Sequence, residues 1–340
     1  MNTIICQPNA ILKFVLTSVY VVFSTTQLYA QHYPAGSEGI KGASLPSPGF
    51  YVRDDNSFYF YNKVPGFGGQ LQNGFEQFSY TQTPRLLWVT PWKFLDLNFG
   101  AEVQIPLTYQ EHTRRVPYGP PISSVPFPIY NTRVETESHF GLSDIRVEPL
   151  IIGWHLKHFD FAASYYFFAP SGNWDESNSL FYNLGKEYWS HGVSLGLTWY
   201  PDSEKTWAVS ILNHYEINTS QYSSLVLVPI SPEHPSGVAA MNTTLGDIYT
   251  LEWAISKTII KGVDIAITGY YQQQVTSTEG PTFFGPTYQN EKIHVAGIGP
   301  EIKGEYAKWG LSGSLRFAYE FSAMDHPQGH LITLNLTKSF

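Results

Sequence analysis

The chain carries little charge and almost no cysteine. Asp, Glu, Lys and Arg make up 14% of its 340 residues, against roughly 25% in an ordinary soluble protein. Cys6 is the single cysteine. Beyond residue 30 no run of 18 consecutive apolar residues occurs, which excludes a membrane-spanning helix there. No basic cluster is present and the formal net charge is −8, so nucleic acid is not an expected partner. The sequence holds no phosphate loop or dinucleotide fingerprint, and therefore calls for no cofactor.

Aromatics are what the chain has in plenty: 9 Trp, 23 Tyr and 22 Phe, or 16%. The mean hydropathy is still only −0.17, because Ser, Thr, Asn, Gln and Gly dilute the apolar residues. Many aromatics, few charges and near-neutral hydropathy suit sheets with one greasy face and one polar face.

The first 30 residues stand apart. Lys13 precedes the apolar run FVLTSVYVVF at 14–23, and LYA at 28–30 offers a cleavage site. The run is short of the roughly 20 residues that a span needs. It reads as a secretory signal peptide, cut to leave a mature chain starting near Gln31. Cys6 lies inside this leader and upstream of its apolar run, so it is not a lipoprotein cysteine. The mature chain would be exported without any disulfide, and its stability must come from elsewhere.

Strict alternation recurs after the leader. In LDLNFGAEVQIPL (95–107) the odd positions are apolar, and the even ones are Asp96, Asn98, Gly100, Glu102 and Gln104. The same period of two runs through 189–199, 207–217, 249–256, 263–271 and 309–321. Each of these runs is about as long as a tilted strand crossing a bilayer. About twelve strands are expected, near 48–61, 76–90, 94–108, 139–153, 158–169, 188–200, 205–218, 244–258, 262–276, 291–303, 308–321 and 330–340. PWKF, WHLKH, PDSEK, IIKG and YAKW form short turns, and long connections at 109–138, 170–187, 219–243 and 277–290 fall between them. This rhythm predicts an all-β fold, an antiparallel up-and-down barrel in the outer membrane, with short turns and both termini on the periplasmic side. Closure removes edge strands that a bilayer could not satisfy. The expected layout is a leader at 1–30, a periplasmic N-terminal segment at 31–49 and a barrel over 50–340.

Tryptophan placement agrees. Trp189 and Trp199 bracket one strand on its apolar face, while Trp88, Trp92, Trp207 and Trp309 sit beside short turns, as an interfacial girdle requires. The chain ends in GHLITLNLTKSF, alternating to its last residue. This tail resembles the carboxy-terminal signature of bacterial outer-membrane proteins, which implies that the assembly machinery reads Phe340. Lys338 departs from that signature, and its long stem would let it snorkel to water.

The stretches HYPAGSEGIKGASLPSPGFYVRDDNSFYFYN (32–62), GLSDIRVEPLIIGW (141–154), FFAPSGNWD (167–175) and NLGKEYWSHGVSLGLTWY (183–200) together resemble the family linked to the phenol meta-cleavage (MetA) degradation pathway. The resemblance implies a Gram-negative outer-membrane channel or importer for small hydrophobic or aromatic solutes, working by passive diffusion and not an enzyme. Membrane lipid and lipopolysaccharide would surround it.

Ionisable residues on the polar faces are the candidate site. Arg85, Asp96, Glu102, Asp144, Arg146, Glu148, Glu252, Arg316 and Glu320 are expected to point into the lumen, with His214, Glu216 and Asp264. Inside a narrow barrel such charges must pair or reach water. Asp144, Arg146 and Glu148 in SDIRVEP are expected as a ladder packing against Arg316 or Arg85. They could form an ion-selective constriction or a structural network that fills the lumen. Segment 31–49, rich in Gly and Pro, could fold into the lumen as a plug or remain a periplasmic leader. Loop 109–138 offers Tyr118, Phe127 and Tyr130 as solute contacts. A barrel hydrolase is the weaker alternative, since His214 and Ser220 lack the His-x-Ser spacing of phospholipase barrels. The pairs His155/His158 and His326/His330 fall on a turn and a loop, where metal binding is not expected.

Overall fold

The computed structural model describes residues 32–65, 71–118, 131–174, 183–219, 222–227, 238–280 and 292–340; the leader at 1–30 lies outside them. In chain order the strands are β1 (Gly49–Pro65), β2 (Leu71–Phe94), β3 (Leu97–Gln104), β4 (Leu107–Tyr118), β5 (Asn131–Leu142), β6 (Ile145–His155), β7 (Phe159–Ala169) and β8 (Ser190–Trp199). They continue as β9 (Trp207–Asn218), β10 (Tyr222–Leu227), β11 (Val238–Thr243), β12 (Ile248–Ile260), β13 (Val263–Gln274), β14 (His294–Tyr306), β15 (Leu311–Met324) and β16 (Gln328–Ser339). No helix among the described residues is long and apolar enough to cross a membrane.

All the main pairings are antiparallel, and β1 pairs with both β2 and β16, so the sheet closes on itself. β3 with β4, and β5 with β6, are single staves broken at 105–106 and 143–144, which gives a closed barrel of twelve staves. Pro106 has no amide hydrogen for the ladder, yet Ile105 N donates to Pro84 O and Ser143 N to Pro106 O across the breaks. The short turns are built locally. Leu95 and Asp96 both take positive φ, 51° and 60°, the geometry that matches a two-residue hairpin to strand twist. Asp202 accepts hydrogen bonds from Thr206 N and Oγ1 and from Trp207 N, and these bonds hold its carboxyl down at about 2.

Two expectations about extent are corrected. Residues 109–118 and 131–138 are not loop but part of the hairpin β4–β5, whose strands pair from Leu107↔Leu142 to Tyr118↔Asn131. The connection 219–243 also holds a separate hairpin, β10–β11. Within 131–138 Val134 is the one large apolar residue, so this stretch carries no amphipathic signal.

The barrel is polar inside and apolar outside. Thr198, Glu216, Thr250, Glu252 and Arg316 are among its most buried residues, while Trp88, Trp92, Trp189, Trp199, Trp207 and Trp309 are all exposed. A soluble core inverts this arrangement; a membrane barrel requires it. The Trp rows mark where the two interfaces lie. Lys338 Nζ bonds the Trp309 carbonyl and lies 5.4 Å from the Phe340 ring centroid, so it reaches the interface instead of lipid. Phe340 N donates to Phe50 O at 2.9 Å, tying the last residue to the first strand.

Candidate functional site

Residues 32–48 occupy the space between the staves. At one end His32 meets Ser190 and Asp144 near the long-loop side; at the other Ser44 meets Tyr200 and Ser47 meets Tyr51 near the short turns. Gly and Pro prevent a helix or strand here, so the amides need side-chain partners. Lumen carboxylates supply them. His32 N and Tyr33 N donate to the two oxygens of Glu216, Glu38 N to Glu252, and Ile40 N to Glu301. Tyr33 Oη also donates to Glu252, and Lys41 pairs with Asp264 at 3.1 Å.

The midpoint is held by an ionic cluster. Glu38 bridges Arg85 at 2.6 Å and Arg53 at 2.9 Å. Arg85 reaches Asp55 at 3.0 Å and Glu102 at 2.8 Å, and Arg53 reaches Asp55 at 2.5 Å. Each guanidinium fork thus meets two or more carboxylates, the geometry in which charge-assisted bonds are strongest. Burial alone would raise the Glu38 carboxyl, but Arg53 and Arg85 hold it well below the usual carboxylate range. Burial lowers His32 below its ordinary 6.5, partly offset by its bond to Asp144. A histidine that folding keeps neutral costs nothing above pH 6.5, and the docked state loses stability as pH falls from 6.5 towards its lowered value. Glu38 stays ionised through this window. Docking of the segment should therefore loosen as pH falls below 6.5, by at most about 1.4 kcal/mol per pH unit, through His32 and not Glu38. Hydrogen exchange at residues 32–40, compared between pH 7 and pH 5 in wild type and His32→Gln, checks it; equal pH dependence in both would refute it.

Small wall residues make room for the segment. A Cβ on Gly153 would come within 2.7 Å of Leu45 Cβ, and one on Gly196 within 2.6 Å of Ala43 Cβ. A Cβ on Gly39 would strike the Glu301 carboxylate. Gly153→Leu with Gly196→Leu should force residues 43–45 off the wall while the barrel still closes, since both positions lie in regular ladder pairs. Faster proteolysis of the N-terminal segment with unchanged heat-modifiable gel mobility is the expected readout.

Most candidates from the sequence do point inward, with four adjustments. Asp96 does not: it is exposed in the Leu95–Asp96 turn, because the even-numbered alternation begins only once β3 starts at Leu97. The SDIRVEP residues do not pack on Arg316 or Arg85 as a ladder. Asp144 instead accepts from Ser171 N, Gly172 N, Lys186 N and His32, while Arg146 approaches Glu148 at 3.5 Å and lies 4.1 Å from the Tyr166 ring centroid. Arg316 sits 3.9 Å from Glu301, and Glu320 accepts from Tyr59, Tyr270 and Gly329 N. Phe127 and Tyr130 lie outside the described residues, and Tyr118 is described only through its backbone pairing with Asn131. Arg53, Asp55 and Glu301 were missed. The odd positions of YVRDDNSFYFY carried the signal for the first two, and the odd positions of β14, with Glu301 between the outward Pro300 and Ile302, carried it for the third.

Ser190, His32 and Asp144 have the composition of a hydrolytic triad, with contacts of 2.6 and 2.9 Å. Ser190 is wholly buried and its hydroxyl also donates to Asn218, so the group clamps the segment and presents no nucleophile. Below it a cavity of about 580 Å³ runs between segment and wall toward the short-turn end, lined by Tyr33, Arg85, Arg146, Leu45, Leu212 and Lys303, among others.

No curated protein matches the chain in sequence. Among solved structures, an outer-membrane channel from Pseudomonas putida F1 is similar at 11% identity, with a TM-score of 0.66 over 91% of this chain and all of that one. The toluene transporter of Ralstonia pickettii gives 10% identity and a TM-score of 0.45 over 95% and 97% of the two chains. That of P. putida gives 11% and 0.42 over 87% and 91%. The model of the family described as "Putative MetA-pathway of phenol degradation" matches residues 63–336; the chain belongs to that family.

Proposed function

We propose that the protein is a passive channel for small hydrophobic or aromatic solutes, with residues 31–49 as its plug and no covalent chemistry. The observation that carries the reading is the lumen itself. Staves from all around the barrel direct side chains at the segment, and the charged groups leave a cavity of about 580 Å³ beside it. Such a volume lies in the range of small-molecule sites. Membership of the phenol-degradation family supports an aromatic solute, as do Tyr33, Tyr166 and His214 around Arg146. Single-channel recording tests the solute class. Phenol or catechol should produce transient current blockades that glucose at the same concentration does not. Equal blockade by glucose would reduce the protein to a general pore.

The rival is a barrel whose lumen is filled for structure, which the Glu38–Arg85–Arg53 cluster favours. It predicts silence with and without the segment.

We infer also that Phe340 serves assembly. It is exposed, and its amide, a ring contact with Phe50 and the Lys338 ammonium over its ring are surface contacts, so little folding energy depends on it. Deleting it should delay barrel assembly in cells while refolding in detergent proceeds at the wild-type rate. A delay of equal size in both settings would make its role structural.

A further inference from the structure

One stretch of the outer wall is not apolar. On β1 the outward residues run Phe50, Val52, Asp54, Asn56, Phe58 and Phe60; on β2 they run Trp88, Leu86, Pro84, Gln82, Tyr80 and Phe78, in register with them. The aromatics at each end mark the two interfaces. Asp54, Asn56 and Gln82 lie between. Asp54 is four residues, about 13 Å along the strand, from Phe50, which places it within the hydrocarbon layer. The flanking staves present Leu334 and Leu336 on one side and Val103 and Leu107 on the other. Glu76 and Glu111, the other outward carboxylates of this wall, sit at or beyond the level of Phe78.

A lipid-facing carboxylate at this depth is costly and rare. Its local partners satisfy it in part. Asn56 Nδ2 donates to Asp54 at 3.1 Å, Gln82 Nε2 spans both oxygens at 3.2 Å, and Tyr80 Oη donates to Asn56 at 2.7 Å. Each primary amide then keeps one N–H unspent, and Asp54, Gln82 Oε1 and Tyr80 Oη keep acceptor capacity. Acyl chains can meet none of these groups, and bulk water is absent at that depth.

We propose that this face of β1 and β2 is an intramembrane interface with a second copy of the chain. The occupant follows from two facts. The patch holds spare donors and spare acceptors together, so it is complementary to itself, as a two-fold interface must be. The bilayer also fixes the depth and orientation of every copy, so a neighbour brings the same residues to the same height. Val52, Phe58 and Phe60 supply apolar contact around the polar centre, in the arrangement of core and rim that interfaces share.

Cysteine cross-linking tests it cleanly, because Cys6→Ser leaves the chain without cysteine. In that background Val52→Cys should give a disulfide-linked dimer in native membranes, whereas Leu195→Cys, lipid-facing on β8, should not. Adding Asp54→Leu, Asn56→Leu and Gln82→Leu should lower the Val52→Cys dimer at least tenfold while heat-modifiable mobility shows an intact barrel. A dimer yield at Val52→Cys no greater than at Leu195→Cys overturns the proposal. So does a yield that the three leucines leave unchanged. If the triple variant fails to fold, Gln82→Leu alone, with sedimentation of the wild-type protein in density-matched detergent, decides: a monomer at every concentration refutes the interface.

Discussion

A barrel lacking residues 31–49 should conduct several-fold more current than the intact protein and should prefer cations. The segment fills the lumen along its length, from the His32 contacts with Ser190 to the Ser44 contact with Tyr200, so its loss widens the path wherever it is narrow. Selectivity follows from what remains. Among the described residues Asp55, Glu102, Asp144, Glu148, Glu216, Glu252, Asp264, Glu301 and Glu320 then outnumber Arg53, Arg85, Arg146, Lys186, Lys303 and Arg316 around the opening. Lys41 and Glu38 leave together, so the segment's own charges cancel, but Glu216, Glu252 and Glu301 lose the amides that now neutralise part of their field. A pore lined by excess carboxylate concentrates cations. A reversal potential measured across a salt gradient reads the sign, and raised ionic strength should weaken the preference as screening shortens. Unchanged conductance would show that the segment is not the obstruction.

Replacing Arg85 with methionine should be the most damaging single change in the lumen. Arg85 is buried and in contact with Glu38, Asp55 and Glu102. Methionine fills the volume but leaves Glu38 and Asp55 to share Arg53, and Glu102 with the Gln104 amide in place of a guanidinium. Removing one partner of a buried ionic cluster costs about 3–5 kcal/mol, whereas an exposed pair is worth about 0–1 kcal/mol. The size of the loss therefore measures how dry the lumen is at this level. Urea unfolding in detergent gives the number. Glu102→Gln added to Arg85→Met should restore about half of it, because one uncompensated charge goes. A loss below about 1 kcal/mol would show that water already screens the cluster. Since Glu38 belongs to the segment, the variant should also raise conductance without any deletion.

Much of this molecule was legible in its sequence, for a definite reason. A bilayer imposes the same rule on every stave, apolar out and polar in, and that rule is written with a period of two wherever a strand crosses. Leu195 and Ser194, or Ile211 and Ser210, announce their faces without help from the rest of the chain. Connection lengths then fix the topology, because antiparallel neighbours leave no choice of partner. Where the bilayer stops, so does the legibility: β4 and β5 extend past the belt with polar residues on both faces, and alternation there has nothing to alternate.

The site was only half legible for the same reason. Facing inward is a local property, and Arg85, Glu102, Glu252 and Arg316 declare it. Pairing is not local. Arg85 chooses Glu38, Asp55 and Glu102 because closure of the barrel and entry of the segment bring those groups within 3 Å, from positions that only the assembled lumen relates. Segment 32–48 has no period at all, and its Gly- and Pro-rich composition said only that it could not be a strand. Its place was decided by the carboxylates of β9, β12 and β14, which needed donors, and by its own amides, which had no other partners. The sequence by itself determined the barrel, its inside and its outside; the tertiary structure decided what the inside holds, because buried charges settle on partners only once the wall has closed around them.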